Sequence, residues 1–233
     1  LSSRELKGQE IIKNLSHKES KLVVDPTLLL SREDWEKELN LKKKESNYIV
    51  CYFLGNQKEY YSTAKSVAKK LDSKIIIIPG NIHYLDQDKY KYLNVCDPKD
   101  FVELIMNAKF VLTDSYHGML FSINFNKEFL VFKRFKDTKK SSQNSRIYTI
   151  LEEYNLSNRM YNKKMSINDL LNKEINYKNI NKILLSKREE SIEYLNRAIK
   201  EIEKRTSSKT NGEITKICTG CGMCASICHK KCI

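Results

Sequence analysis

A chain of 233 residues with 40% apolar residues can build one large core plus a small module, and no apolar run approaches the roughly 18 residues of a membrane span. The formal net charge of +13 invites an anionic partner. Yet the lysines are spread over the whole chain, no helix interleaves arginines with aromatics, and no nucleic-acid module occurs, so nucleic acid is not the expected partner.

In chain order, residues 2–17 predict a helix, with Ser2-x-x-Glu5 in the pattern of a capping box and Leu6, Ile11, Ile12 and Leu15 able to share a face. Leu22–Val24 reads as a short strand stopped by Asp25-Pro26. Ser31 opens a polar helix containing Trp35, and Lys42–Ser46 is a solvated connector at a domain boundary. From there strands and helices alternate with short links. Tyr48–Leu54 and Ile75–Ile78 are continuous apolar runs suited to strands buried on both faces of a parallel sheet, with a helix over 57–71 between them. A tyrosine-rich loop (82–92) carries His83, read as a surface residue, and Asp97-Pro98 opens a helix that runs to Ala108. The fold class is therefore α/β, a Rossmann-like doubly wound domain.

Within that domain, Phe110–Arg134 concentrates the chemistry. A strand at 110–112 leads into a polar turn, Thr113–His117, then an apolar helix (118–125) and a second strand (129–132) ending at Lys133-Arg134. In a parallel sheet both polar spots fall on the edge where ligands bind, and an imidazole beside fixed cations suits an anion. No G-x-G-x-x-G or P-loop occurs, so no nucleotide cofactor is expected. Phe135–Asn144 is a polar loop, Ser145-Arg146-Ile147 starts a helix, and 166–204 is helical, with Ile192, Leu195, Ile199 and Ile202 in one stripe that most simply docks on its own protein. Arg205–Gly212 is a linker by composition.

The cysteines divide sharply. Cys51 and Cys96 stand alone in apolar settings as buried thiols, whereas five of the seven sit in the last sixteen residues. Such clustering argues for metal ligation in a reducing, cytoplasmic compartment over a disulfide framework. Cys218-x-x-Cys221-x-x-Cys224-x-x-x-Cys228 has the bacterial ferredoxin spacing and predicts a 4Fe-4S cluster, with a second one in the full-length protein; the spacing favours iron–sulfur over zinc. His229 follows the fourth cysteine where the ferredoxin pattern has proline, and the second cysteine run is absent. Leu1 entering a helix-forming segment, and an end one residue past Cys232, predict a piece of a longer protein.

Four pieces, Ser2-Ser-Arg-Glu-x-x-Gly8, Val24–Leu30 with Trp35 following, Thr113–Gly118 with its helix, and Asn144–Ile147, together resemble the polysaccharide pyruvyl transferase family. The resemblance implies a two-domain fold similar to GT-B glycosyltransferases. Residues 1–46 would hold the end of the N-terminal Rossmann-like domain and the interdomain segment, and 47–165 the C-terminal Rossmann-like domain; C-terminal helices (166–206) and a truncated ferredoxin-like module (213–233) would follow. The implied activity moves a pyruvyl group from phosphoenolpyruvate to two hydroxyls of a sugar or glycan acceptor, free or lipid-linked. His117 and Arg4 carry over as catalytic residues, with Asp114 orienting His117 and Ser115 and Arg146 contacting substrate. The family's lysine beyond the following strand maps on Lys133, Arg134 or Lys136, which spacing leaves open; Asp25-Pro26 reads as structural. This piece alone is expected to be inactive. Two other classes stand beside the transferase: an iron–sulfur electron-transfer or deazaflavin-reductase-like component that meets a redox partner through the cysteine module, and an inactive glycan-binding module.

Overall fold

The structure, a computed structural model, describes residues 1–55, 58–78, 91–92, 96–137, 143–164 and 166–207. His83, the iron–sulfur ligands expected at Cys218, Cys221, Cys224 and Cys228, and most of the expected linker lie outside the described residues.

Apolar strand runs dictate a parallel sheet, and one forms. Strands β3 (Tyr48–Tyr52), β4 (Lys74–Ile77), β5 (Lys91–Tyr92), β6 (Phe110–Thr113) and β7 (Glu128–Val131) pair in the order β5-β4-β3-β6-β7, all parallel. Successive side chains alternate between two cores. Ile49, Cys51, Phe110, Leu112 and Leu130 pack with Tyr60, Ala64 and Val67 of α4 (Lys58–Lys70) and Leu170 of α8 (Ile167–Leu171). Val50, Val111, Phe129 and Val131 pack on the other face with α5 (Pro98–Asn107), α6 (Tyr116–Asn124), α7 (Ser145–Glu153) and the start of α9 (Tyr177–Ser207). Sequence order runs outward from β3 in both directions, so the direction of winding reverses between β3 and β6. That reversal opens a crevice at the carboxyl ends of those two strands.

Before this sheet, β1 (Ser2–Ser3) and β2 (Lys21–Leu22) form a two-stranded parallel sheet, bridged by α1 (Leu6–Ser16). The Ser2/Glu5 capping box does not form: Ser2 and Ser3 are in the strand, Glu5 is the N-cap of α1 without a side-chain cap bond, and the Ser3 hydroxyl donates to the Glu5 carbonyl. A capping box is real one helix later, where Ser31 and Asp34 exchange bonds at the start of α3 (Arg32–Glu38). Between them α2 (Pro26–Leu29) is capped by Asp25 and buries Leu28 in the core under α6; Trp35 packs edge-on against Phe121 with ring centroids 5.2 Å apart.

Other expectations shift by small amounts. The tyrosine-rich loop contributes the edge strand β5, and α6 starts at Tyr116 because Ser115 caps it. Asn172–Asn176 breaks the C-terminal helical stretch, and Ile192, Ile199 and Ile202 are exposed. Cys51 is buried, but Cys96 is only half-buried. Residues Leu1–Ile192 form one compact unit, and Glu193 begins a second. No helix among the described residues is long and apolar enough to cross a membrane.

Candidate active site

The crevice between β3 and β6 is held by the polar turn after β6. Thr113 Oγ1 donates to the Tyr52 carbonyl at 2.7 Å and accepts from the Ser115 amide at 3.0 Å. Asp114 reaches across and accepts from the amides of Leu54 (2.7 Å) and Gly55 (2.8 Å), tying the ends of the two strands together. Ser115 Oγ accepts from the Gly118 amide and starts α6. Gly118 is required here, because a Cβ would lie 2.5 Å from Thr113 Oγ1. The helix that follows is buried along its length except at His117, which it presents at its N-terminal end, where the helix dipole favours anions.

Opposite His117 stand residues from the first thirty positions. Parallel pairing of β1 with β2 brings their carboxyl ends together, so Arg4, just after β1, meets Asp25, which follows β2. Arg4 Nη1 donates to Asp25 Oδ2 at 2.6 Å, and the same oxygen is 3.9 Å from His117 Nε2. The Asp25 side chain is 1% exposed, against 37% for Arg4 and 46% for His117. Next to His117, the ring of Tyr116 is a platform for two guanidinium groups, Arg4 at 5.4 Å and Arg146 from α7 at 5.1 Å.

Of the three cations after β7, Arg134 joins this group. Its stem passes Gly55 so closely that a Cβ there would sit 3.0 Å from Arg134 Cγ, and its charge acts on Asp114 and Arg146. Lys133 is paired with Asp137 at 3.0 Å and lies over the ring of Tyr148, and Lys136 is exposed; both line a separate open cavity of about 850 Å³ with Glu59, Tyr60 and Tyr161. Asp114, expected to orient His117, is instead engaged with backbone amides, and the carboxylate beside the imidazole is Asp25. Sequence reasoning missed Asp25 and Tyr116 as members of the group. Asp25 carried a signal, since a carboxylate before proline reads equally as a helix cap.

The electrostatics favour an anion. Burial, the largest influence, pushes the imidazole of His117 below its ordinary value; Asp25 opposes this, and Arg4 and Arg146 reinforce it. Burial, Arg4 and Arg134 likewise lower Arg146. The buried Nε atoms of Arg134 and Arg146 have no hydrogen-bond partner among the described residues. Unsatisfied buried donors are costly, and neighbouring guanidinium groups repel one another. An anion placed among them would relieve both penalties and raise His117 toward its protonated form.

The family model for polysaccharide pyruvyl transferase matches residues 1–134. No curated protein gives a significant match. Solved structures to which the chain is similar include the glycotransferase of kitacinnamycin (12% identity over 64% of this chain and 41% of that one, TM-score 0.45). Others are the wall teichoic acid polymerase TagF (12%, 88% and 58%, 0.46) and the UDP-GlcNAc 2-epimerase from Neisseria meningitidis bound to UDP-GlcNAc (14%, 79% and 59%, 0.39). The chain spans between 41% and 59% of the length of these structures. The family match covers more than half of the 233 residues and runs from Arg4 through the turn bearing His117 to Arg134. The chain belongs to the polysaccharide pyruvyl transferase family.

Proposed function

We propose that the chain carries the donor site of a pyruvyl transferase that moves a pyruvyl group from phosphoenolpyruvate to a sugar of a glycan or glycan precursor. The single observation that carries this reading is the gathering of Arg4 and Arg146 beside His117, with Arg134 near enough to act on Arg146, at the point where the sheet reverses. Phosphoenolpyruvate carries a phosphate and a carboxylate on one small skeleton. Several guanidinium groups match such a pair of anions, because each offers a planar fork of donors.

The chemistry asks for a proton and for charge stabilisation. His117, made protonated by the bound donor, gives its proton to the methylene carbon, and the central carbon becomes oxocarbenium-like. One acceptor hydroxyl adds there, phosphate departs, and the second hydroxyl closes the ketal; of the two hydroxyl protons, one restores His117 and the other leaves on phosphate. The arginines hold the phosphate and carboxylate throughout and stabilise the departing charge. Ser115, expected to contact substrate, caps α6 with its hydroxyl. A cavity of about 370 Å³ beside Arg4 and Asp25, lined by Gln9, Glu153 and Lys187 as well as by Val24, Leu28 and Ile150, offers both polar and apolar contacts to an acceptor sugar. In a two-domain GT-B-like fold, as the family resemblance implies, this group would form one wall of a cleft.

The cysteine spacing supports a separate module. Cys218, Cys221, Cys224 and Cys228 would ligate a 4Fe-4S cluster serving a redox partner rather than the ketal chemistry. Anaerobic purification tests it: a brown protein with acid-labile sulfide supports the cluster, and a colourless zinc-loaded one refutes it. For the transferase, phosphate release from phosphoenolpyruvate is measured with the full-length protein and a panel of glycan acceptors. Acceptor-dependent release with a new ketal methyl signal supports the reading; release that ignores the acceptor contradicts it.

A further inference from the structure

Asp25 divides its two oxygens between two tasks. Oδ1 accepts from the amide of Thr27 at 3.0 Å and from its hydroxyl at 2.7 Å, which caps α2. Oδ2 does nothing for the cap: it takes the bond from Arg4 at 2.6 Å and faces His117 Nε2 at 3.9 Å. A cap needs one acceptor oxygen, and serine, threonine or asparagine supplies it as well as aspartate. The full negative charge, held in a side chain 1% exposed, is therefore unexplained by the helix it starts.

The groups facing His117 account for it. Burial, Arg4 from the segment after β1 and Arg146 from α7 disfavour a charged imidazole, and Asp25 is the carboxylate that favours it. Arg4 gains as well, since the Tyr116 ring holds its guanidinium only by its face, whereas the bond to Asp25 also fixes its direction. We propose that Asp25 is a positioning residue of the site, fixing Arg4 toward the donor and setting one compensating negative charge beside His117. The proposal rests on the phosphoenolpyruvate reading above for its catalytic consequence but not for its geometry.

The test uses the whole chain. Asn at position 25 keeps the capping oxygen and removes the charge, and Ser does the same with a smaller side chain. The four histidines are titrated by NMR without substrate, and the His117 signal is identified by its loss in His117→Gln. In Asp25→Asn the midpoint of His117 should fall by about half a pH unit or more, as expected for removing an opposite charge some 4 Å away in a partly solvated site. The thermal midpoint should hold, and in the transfer assay kcat/KM for phosphoenolpyruvate should drop about tenfold with the optimum moved to lower pH. An unmoved His117 midpoint in a folded Asp25→Asn or Asp25→Ser variant overturns the proposal. So does failure of both variants to fold, which would make the carboxylate structural. If the titration shifts but the protein never uses phosphoenolpyruvate, the positioning role stands and the functional reading falls.

Discussion

The turn after β2 and the turn after β6 look alike in sequence and in burial. Each leads into a helix, and each carries a nearly inaccessible aspartate, Asp25 at 2% and Asp114 at 1% exposure. Their partners separate them. Asp114 spends both oxygens on the amides of Leu54 and Gly55, so it fastens backbone to backbone. Asp25 spends one oxygen on its own helix and offers the other to Arg4 and His117. Equal burial thus hides opposite uses, and what a buried carboxylate does is decided by whether its neighbours are fixed amides or titratable side chains.

The largest effect is expected on the Asp25 side, at His117. Replacing His117 by Gln keeps the side chain's size and polarity but removes the proton donor, and ketal formation should fall by about a hundredfold or more with little change in thermal stability. Full turnover in that variant would remove His117 from the chemistry. On the other side, Asp114→Ala leaves two buried amides without acceptors and should cost about 1–3 kcal/mol in denaturant unfolding. Gly55→Ala attacks the same joint from across the crevice, since its Cβ would lie 2.7 Å from Asp114 Oδ2; the forced shift should cost a similar ~1–3 kcal/mol. A Gly55→Ala protein as stable as the parent would show that the joint is loose.

A smaller effect sharpens the contrast through pH. Burial, the largest influence, raises the Asp114 carboxyl above its ordinary 3.8, against the opposing amides of Leu54 and Gly55 and the charge of Arg134. The folded chain therefore holds that proton more tightly than the unfolded chain. This stabilising contribution is present at low pH and is lost as pH rises from the ordinary carboxyl value through the raised one. Asp114→Asn should flatten that part of the stability–pH curve, measured as urea midpoints from acid to neutral pH; an identical slope in the two proteins would contradict the assignment.

Much of the frame was legible because parallel strands announce themselves. Tyr48–Leu54 and Phe110–Leu112 are uninterrupted apolar runs, and the polar residues squeezed between Thr113 and His117 had to lie at a strand end. Pairings that bridge distant segments were not legible. Asp25 meets Arg4 only because two two-residue strands lie parallel, and nothing in the intervening residues signals that register. The Ser2-x-x-Glu5 pattern misled because the same serines were better used as strand, and a local cap lost to that pairing. The choice among Lys133, Arg134 and Lys136 is one of side-chain direction. Asp137 and Tyr148 draw Lys133 away, while Arg134 passes over Gly55 into the crevice, where a side chain larger than hydrogen would block it.

Whether Arg4, Arg146 and Arg134 clamp two linked anionic groups beside His117 is decided by calorimetric titration. Phosphoenolpyruvate, inorganic phosphate and pyruvate are titrated separately into the protein and into its Arg146→Gln variant at fixed low salt. Phosphoenolpyruvate should bind at least about tenfold more tightly than either single-anion ligand, and Arg146→Gln should remove most of that advantage. Phosphoenolpyruvate binding no better than phosphate, or binding unchanged in Arg146→Gln, would contradict it.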